Sequence, residues 1–149
     1  MGGTVMATQD FDYEFAELTM LSRLAPAGRQ PNLLIVCNER AQPFVTRQTA
    51  EWCQAPLYVF RLPGPLNLPA SAHTILLNDV SALTMSQQIQ LFDWMTHHVG
   101  TRVVSITSAD LPMQILEGGF LEGLYYRLNT VRVYAKEGRD IISQAMQLR

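Results

Sequence analysis

A chain of 149 residues is the length of one domain, and such a domain buries about 68–70% of its unfolded surface. Apolar residues make up 48% of it and charged residues only 16%, against a typical charged share of about 25%. The 11 basic and 13 acidic residues leave a net charge of −2, which excludes a nucleic-acid binder driven by phosphate neutralisation and a polybasic membrane-surface protein, and argues against disorder.

The start, MGGTVMATQDFDYEF, has neither the basic nor the apolar stretch of a secretory signal. Met6 stands where a myristoylation pattern wants Ser or Thr. Residues 1–10 are read as a disordered N-terminus, and residues 11–149 as a single α/β domain. From Phe11 to Leu24 the apolar residues Phe11, Phe15, Leu18, Leu21 and Leu24 recur at three and four, predicting an amphipathic helix. Leu33 to Cys37 is a continuous apolar run, the pattern of a strand buried on both faces of a parallel sheet. Pro43 suits a first helical turn, because its missing N–H costs nothing there. A helix over 43–54 with Val45, Thr49, Trp52 and Cys53 inward then leads to a strand at Leu57–Phe60, which makes a βαβ unit.

The stretch Arg61 to Ala72 carries three prolines and a glycine and reads as a connection. Thr74–Leu77 is a third strand. Thr84 with Gln87 is a capping box opening a helix with Met85, Ile89, Phe92 and Met95 on one side, stopped by Gly100. Arg102–Ile106 is a fourth strand, two short helices fall around Pro112–Leu116 and Phe120–Leu128, Thr130–Tyr134 is a fifth strand, and Glu137–Leu148 is a last helix. Right-handed crossovers between such strands give a three-layer αβα sandwich on a five-stranded, mostly parallel sheet. The run at 33–37 is expected beside that at 102–106.

The block from His73 to Val133 resembles a known family. ILLNDV (Ile75 to Val80) in a Walker B position, TSADL (Thr107 to Leu111) after the fourth strand, EGGF (Glu117 to Phe120) and LYYRLN (Leu124 to Asn129) follow in order and at the right spacing. Together they resemble the AAA+ domain of sigma-54-dependent transcription activators, the bacterial enhancer-binding proteins. Leu18 to Phe60 is similar to its first β-α-β in general outline. The resemblance implies a P-loop NTPase fold, ATP binding, ring assembly and remodelling of RNA polymerase carrying sigma-54. No helical lid is expected after the fifth strand.

Against that pattern the nucleotide positions have changed. A Walker A loop is a Gly-rich turn whose N–H groups cradle phosphates, with a Lys and a hydroxyl at the helix start. Here the positions are Asn38, Glu39, Arg40, Ala41, Gln42, Pro43 and Phe44, with Pro43 in the place of the Lys and Phe44 in that of the hydroxyl. The paired Walker B acids match Asn78 and Asp79, and the sensor position falls on Thr107 and Ser108. The family's trans-acting arginine matches Leu121, leaving Arg127 as the nearest arginine, read as a partly buried structural ion pair. Residues 61–72 are too short for the family's sigma-54 contact loop with its GAFTGA-type tip. These residues mark a degenerate nucleotide site. No catalytic residue, metal site or resident cofactor is expected, ATP and Mg²⁺ being the only candidates.

Other side chains have plainer readings. His97 and His98 complement a helix C-terminus. Cys37 is a small buried residue whose thiol Glu39 would push up. Tyr125 and Tyr126 pack a helix on the sheet with their hydroxyls at the rim. The two cysteines form no disulfide framework and no zinc pattern, and no apolar run reaches the roughly 20 residues of a membrane span. A cytoplasmic module without ATPase activity is expected, acting through a protein partner or as a homo-oligomer and contacting neither DNA nor membrane. Two alternatives stand beside it: a nucleotide-binding switch using Arg40, Asp79 and Ser108, and an unrelated enzyme that reuses the sheet's C-terminal crevice, with Cys37, Glu39, Asp79 and Ser108 along that edge.

Overall fold

The computed structural model describes residues 12–14 and 31–135. Six strands form one sheet in the order β1-β6-β2-β5-β4-β3, every neighbouring pair parallel. They are β1 (Asp12–Glu14), β2 (Leu33–Val36), β3 (Leu57–Arg61), β4 (Thr74–Asn78), β5 (Arg102–Thr107) and β6 (Val131–Tyr134). The helices are α1 (Gln42–Trp52), α2 (Met85–Thr96), α3 (Leu111–Leu116) and α4 (Glu122–Leu128), with a 3-10 turn at Val80–Ala82. All five expected strands form, and β2 lies beside β5 with Leu33 opposite Val104.

The sixth strand, β1, is a correction. It takes the head of the segment expected as a helix from Phe11 and pairs with the outer edge of β6. The ladder satisfies backbone groups through a contact over a hundred residues away in sequence, which a local periodicity of three and four does not register. The rest of that expected helix, the N-terminus 1–10 and the last helix Glu137–Leu148 lie outside the described residues.

Alternation along the strands splits the core in two. Leu33, Ile35, Leu76, Val104, Ile106 and Val133 pack with Val45 of α1 on one face. Leu34, Ile75, Leu77 and Val103 turn to the other, beneath Leu91 and Met95 of α2, Leu111 of α3, and Leu124 and Leu128 of α4. The central strands are thus covered on both sides, as the unbroken apolar runs require. In α1, Val45, Thr46 and Thr49 are buried, while Trp52 and Cys53 are half-buried.

The capping box at the head of α2 forms as read: Gln87 N–H donates to Thr84 Oγ1 (3.1 Å) and Thr84 N–H to Gln87 Oε1 (3.0 Å). The inward face of α2 forms only in part as read, with Met95 buried and Phe92 packed against the core. Gln88, Leu91 and Met95 are buried, while Met85 and Ile89 face outward, Ile89 at 57% exposure. A polar side chain displaces the expected apolar stripe because Gln88 fills backbone vacancies at both ends of its amide. Its Nε2 donates to Leu83 O and Gly119 O, and its Oε1 accepts from Leu121 N–H (2.8 Å). Gly118, at φ +83°, ends α3 in the left-handed conformation that favours glycine, and Gly119 N–H returns to Gln114 O.

The connection from Arg61 to Ala72 is held as a strap along α2. Gln87 Nε2 donates to Gly64 O, Gln90 Nε2 to Leu66 O and Trp94 Nε1 to Pro69 O. His98 Nε2 meets Ala70 O, and Thr101 Oγ1 donates to Ala72 O. Leu62 and Leu66 are buried beneath it. Gly64 is required within the strap, because a Cβ there would stand 2.6 Å from Arg61 O.

Two further readings change at α4. Tyr125 is buried, its hydroxyl meeting Asn129 Nδ2 and Arg132 Nη1, but Tyr126 is 61% exposed and packs no sheet. Consecutive residues on a helix stand about 100° apart, so only one of the pair can face inward. Arg127 makes no ion pair among the described residues. Its Nη1 donates to Thr96 Oγ1 (2.7 Å) and Phe92 O, and its guanidinium lies 4.2 Å over the Phe92 ring.

Candidate functional site

In open α/β sheets ligands bind outside the carboxyl ends of the strands. There the chain has a cleft of about 1040 Å³. Six of the nine sequence-derived site residues line it: Glu39, Gln42, Pro43, Asn78, Asp79 and Ser108. Asn38, Arg40 and Phe44 do not. Asn38 is turned into its own loop, and Phe44, in the first turn of α1, packs against the core. Arg40 is exposed outside the lining. Sequence reasoning missed the polar lining residues Thr46, Arg47, Glu51, Arg61 and Asn67. Thr46 was findable, because it lies one helical turn after Gln42.

The turn between β2 and α1 is closed on itself. Asn38 Oδ1 accepts from Ala41 N–H at 2.8 Å, and Glu39 O accepts from Gln42 N–H at 3.3 Å. Residue 43 is proline and has no N–H. A phosphate-binding helix start presents a row of free N–H groups; at this one two are spent locally and the third is missing.

Across the cleft Asn78 ties the end of β4 to α1. Its Oδ1 accepts from Gln42 Nε2 at 2.9 Å and from Thr46 Oγ1 at 3.0 Å. Thr46 Oγ1 also lies 2.9 Å from Gln42 O, so its single proton is shared between these two acceptors. Asp79, next in sequence, adopts φ 68°, ψ 60°, a conformation that aspartate tolerates better than most residues. Its carboxylate accepts from Ser81 Oγ at 3.0 Å and caps no backbone N–H. The lining sets the carboxylates Glu39, Glu51 and Asp79 against the guanidiniums Arg47 and Arg61, so the cleft has no excess of positive charge to offer a polyphosphate.

Cys37 ends β2 beneath the turn and is buried. Burial pushes its thiol up from 9.0 to about 11, so the cause is desolvation and not the neighbouring Glu39 as first read. A raised thiol is mostly protonated at neutral pH, which disfavours it as a nucleophile. Thr107 is buried, with its hydroxyl accepting from Ala109 N–H, and only Ser108 faces the cleft. Arg127 lies at the opposite end of the sheet, among residues that precede the strands, and does not reach this cleft. Among the described residues no three His, Cys, Asp or Glu side chains cluster as metal ligands, and no helix is long and apolar enough to cross a membrane.

Among solved structures, the chain is similar to NtrX from Brucella abortus in complex with ADP, with a TM-score of 0.61 and 17% identity over 88% of this chain and 38% of that one. It is also similar to the same protein in complex with ATP, with a TM-score of 0.59 and 20% identity over 80% of this chain and 34% of that one. These likenesses show the fold, an αβα sandwich of the P-loop NTPase, AAA+ type. Among curated proteins it is 32% identical over 92 residues to the nitrogen fixation protein VnfA of Azotobacter vinelandii, which covers 51% of this chain and 18% of that protein. The chain therefore spans under a fifth of that relative and little over a third of the structural neighbours. The family described as the Sigma-54 interaction domain matches residues 39–135, from the self-closed turn to the end of β6, and the chain belongs to that family.

Proposed function

We propose that this domain is a non-catalytic regulatory module derived from a sigma-54 activator ATPase, acting in bacterial transcription or signalling control by contact with a protein partner or with a second copy of itself. The observation that carries the reading is the turn at Asn38–Gln42, where the N–H groups of Ala41 and Gln42 bond within the turn and Pro43 has none, at the helix start where a phosphate cradle needs them free. The bonds of Asn78 to Gln42 and Thr46 support it, because they occupy the oxygen that a Mg²⁺-bearing Walker B residue would offer. NtrX binds ADP and ATP by its own structures; this chain keeps the scaffold and alters the phosphate end. The strap at 62–72, stapled along α2, takes the place of a projecting contact loop.

Titration calorimetry with ATP and Mg²⁺ on the full chain tests this directly. No heat of binding and no phosphate release are expected. Submillimolar binding would overturn the reading in favour of a nucleotide switch at Asp79 and Ser108, and turnover would overturn it in favour of an ATPase. Light scattering on the same sample reads whether the partner is a second copy.

A further inference from the structure

A second cleft, of about 650 Å³, opens at the other end of the sheet, where β2, β4, β5 and β6 begin. Among the described residues its lining holds His73, His98, Arg102 and Arg127, together with hydroxyls such as Thr101, and no Asp or Glu. We propose that this cleft is a binding site for a small oxyanion, a phosphate or a carboxylate, with Arg127 as its principal ligand. The proposal is independent of the reading given to the carboxyl-end cleft.

Arg127 is built for that role. The Phe92 ring beneath the guanidinium and the 2.7 Å bond from Nη1 to Thr96 Oγ1 fix its plane. Its Nη2 and Nε donors have no partner among the described residues. A planar fork with two donors left over matches a carboxylate or phosphate edge. His73 spends only Nδ1, on Thr74 Oγ1 at 3.3 Å, leaving Nε2 without a partner among the described residues. Arg102 supplies a second cation at the floor, buried and fixed by its Nε donating to Pro31 O at 2.8 Å. A low-dielectric wall with one sign of charge strengthens attraction for an anion.

Amide and arginine side-chain NMR on the full chain, titrated at low ionic strength with inorganic phosphate and separately with acetate, tests the assignment. Saturable shifts are expected at Arg127, His73 and Thr101, weakening as salt is raised. Arg127→Gln should weaken binding about tenfold or more, the loss of a charge-assisted pair. Arg127→Lys keeps the charge, loses the fork and should weaken it several-fold, which serves if the Gln variant fails to fold. Arg61→Gln, in the other cleft, should change nothing. Tighter phosphate binding would identify a phosphorylated ligand, and tighter acetate binding a carboxylate. No saturable shift with either anion, shifts centred on residues 38–43, or equal loss in Arg61→Gln would overturn the proposal.

Discussion

The two ends of the sheet treat their polar side chains in opposite ways. At the carboxyl end Asn38, Gln42, Thr46, Asn78, Asp79 and Ser81 bond mostly to one another and to the turn they form. At the amino end Arg127 and His73 are each held by one nitrogen and keep donors in reserve. The first arrangement spends its polar groups on internal structure. The second leaves unspent hydrogen-bonding capacity in a cleft without carboxylates among the described residues. Two ends of one sheet can thus differ in what they leave open to a ligand, which is why function is argued from a site and not from the fold.

The sharpest break of that contrast is Asn78→Leu. It orphans the half-buried donor Gln42 Nε2, while Thr46 Oγ1 keeps Gln42 O as an acceptor at 2.9 Å, and it should cost about 1–2 kcal/mol of stability, the penalty of an unpaired polar group. Urea denaturation would read it. Anion binding at the far cleft should not move, since the two sites share no lining residue. A neutral Asn78→Leu would mean that the Gln42–Asn78–Thr46 network holds nothing together.

The two thiols sample the two ends. Cys37 lies under the carboxyl-end turn, and Cys53 interacts with Arg102 of the amino-end cleft. Burial raises both thiols from 9.0 to about 11, and Arg102 opposes the rise at Cys53 only. An acid whose folded pKa lies above its unfolded one holds its proton longer in the native state. Each thiol therefore contributes stability that is complete below pH 9.0 and is lost as pH rises through about 11. Thermal melting should weaken over that window, and a Cys37→Ala, Cys53→Ala variant should lose that part of the slope. Removing the Arg102 charge should raise Cys53 further and leave Cys37 where it is.

Legibility in the sequence followed the range of the interactions. The strands at 33–36, 57–61, 74–78, 102–107 and 131–134, the capping box of α2 and the parallel order were readable because apolar runs and caps are local signals. So was the missing donor at Pro43, since one residue removes one N–H. What stayed hidden was long-range. Gln88 is buried because it serves backbone groups at positions 83, 119 and 121. β1 exists because β6 has a free edge. Arg127 reads as an ion-pair residue in sequence, and its real partners, Phe92 and Thr96, come from another helix. The amino-end cleft gathers residues from seven separate elements and connections, with no motif to announce it.

The strap spans both ends, running from Arg61 beside the carboxyl-end cleft to Ala72 at the amino end, and its staples are graded. Trp94→Phe loses one donor to Pro69 O and the offset stack on His98, whose ring lies 4.2 Å away. It should cost about 1 kcal/mol, the net value of a hydrogen bond. Gln90→Ala loses one bond from an exposed side chain and should cost less, about 0.5 kcal/mol. Hydrogen exchange separates two designs that global stability would not. If the staples act one by one, each substitution should loosen only the amides nearest its own carbonyl, at 69 or at 66. If the strap is one cooperative unit, either variant should raise exchange from 62 to 72 together. The buried anchors Leu62 and Leu66 both lie toward the carboxyl end, so loosening should stay local near 66 and spread furthest around Pro69–Ala72, on the side that borders the anion cleft.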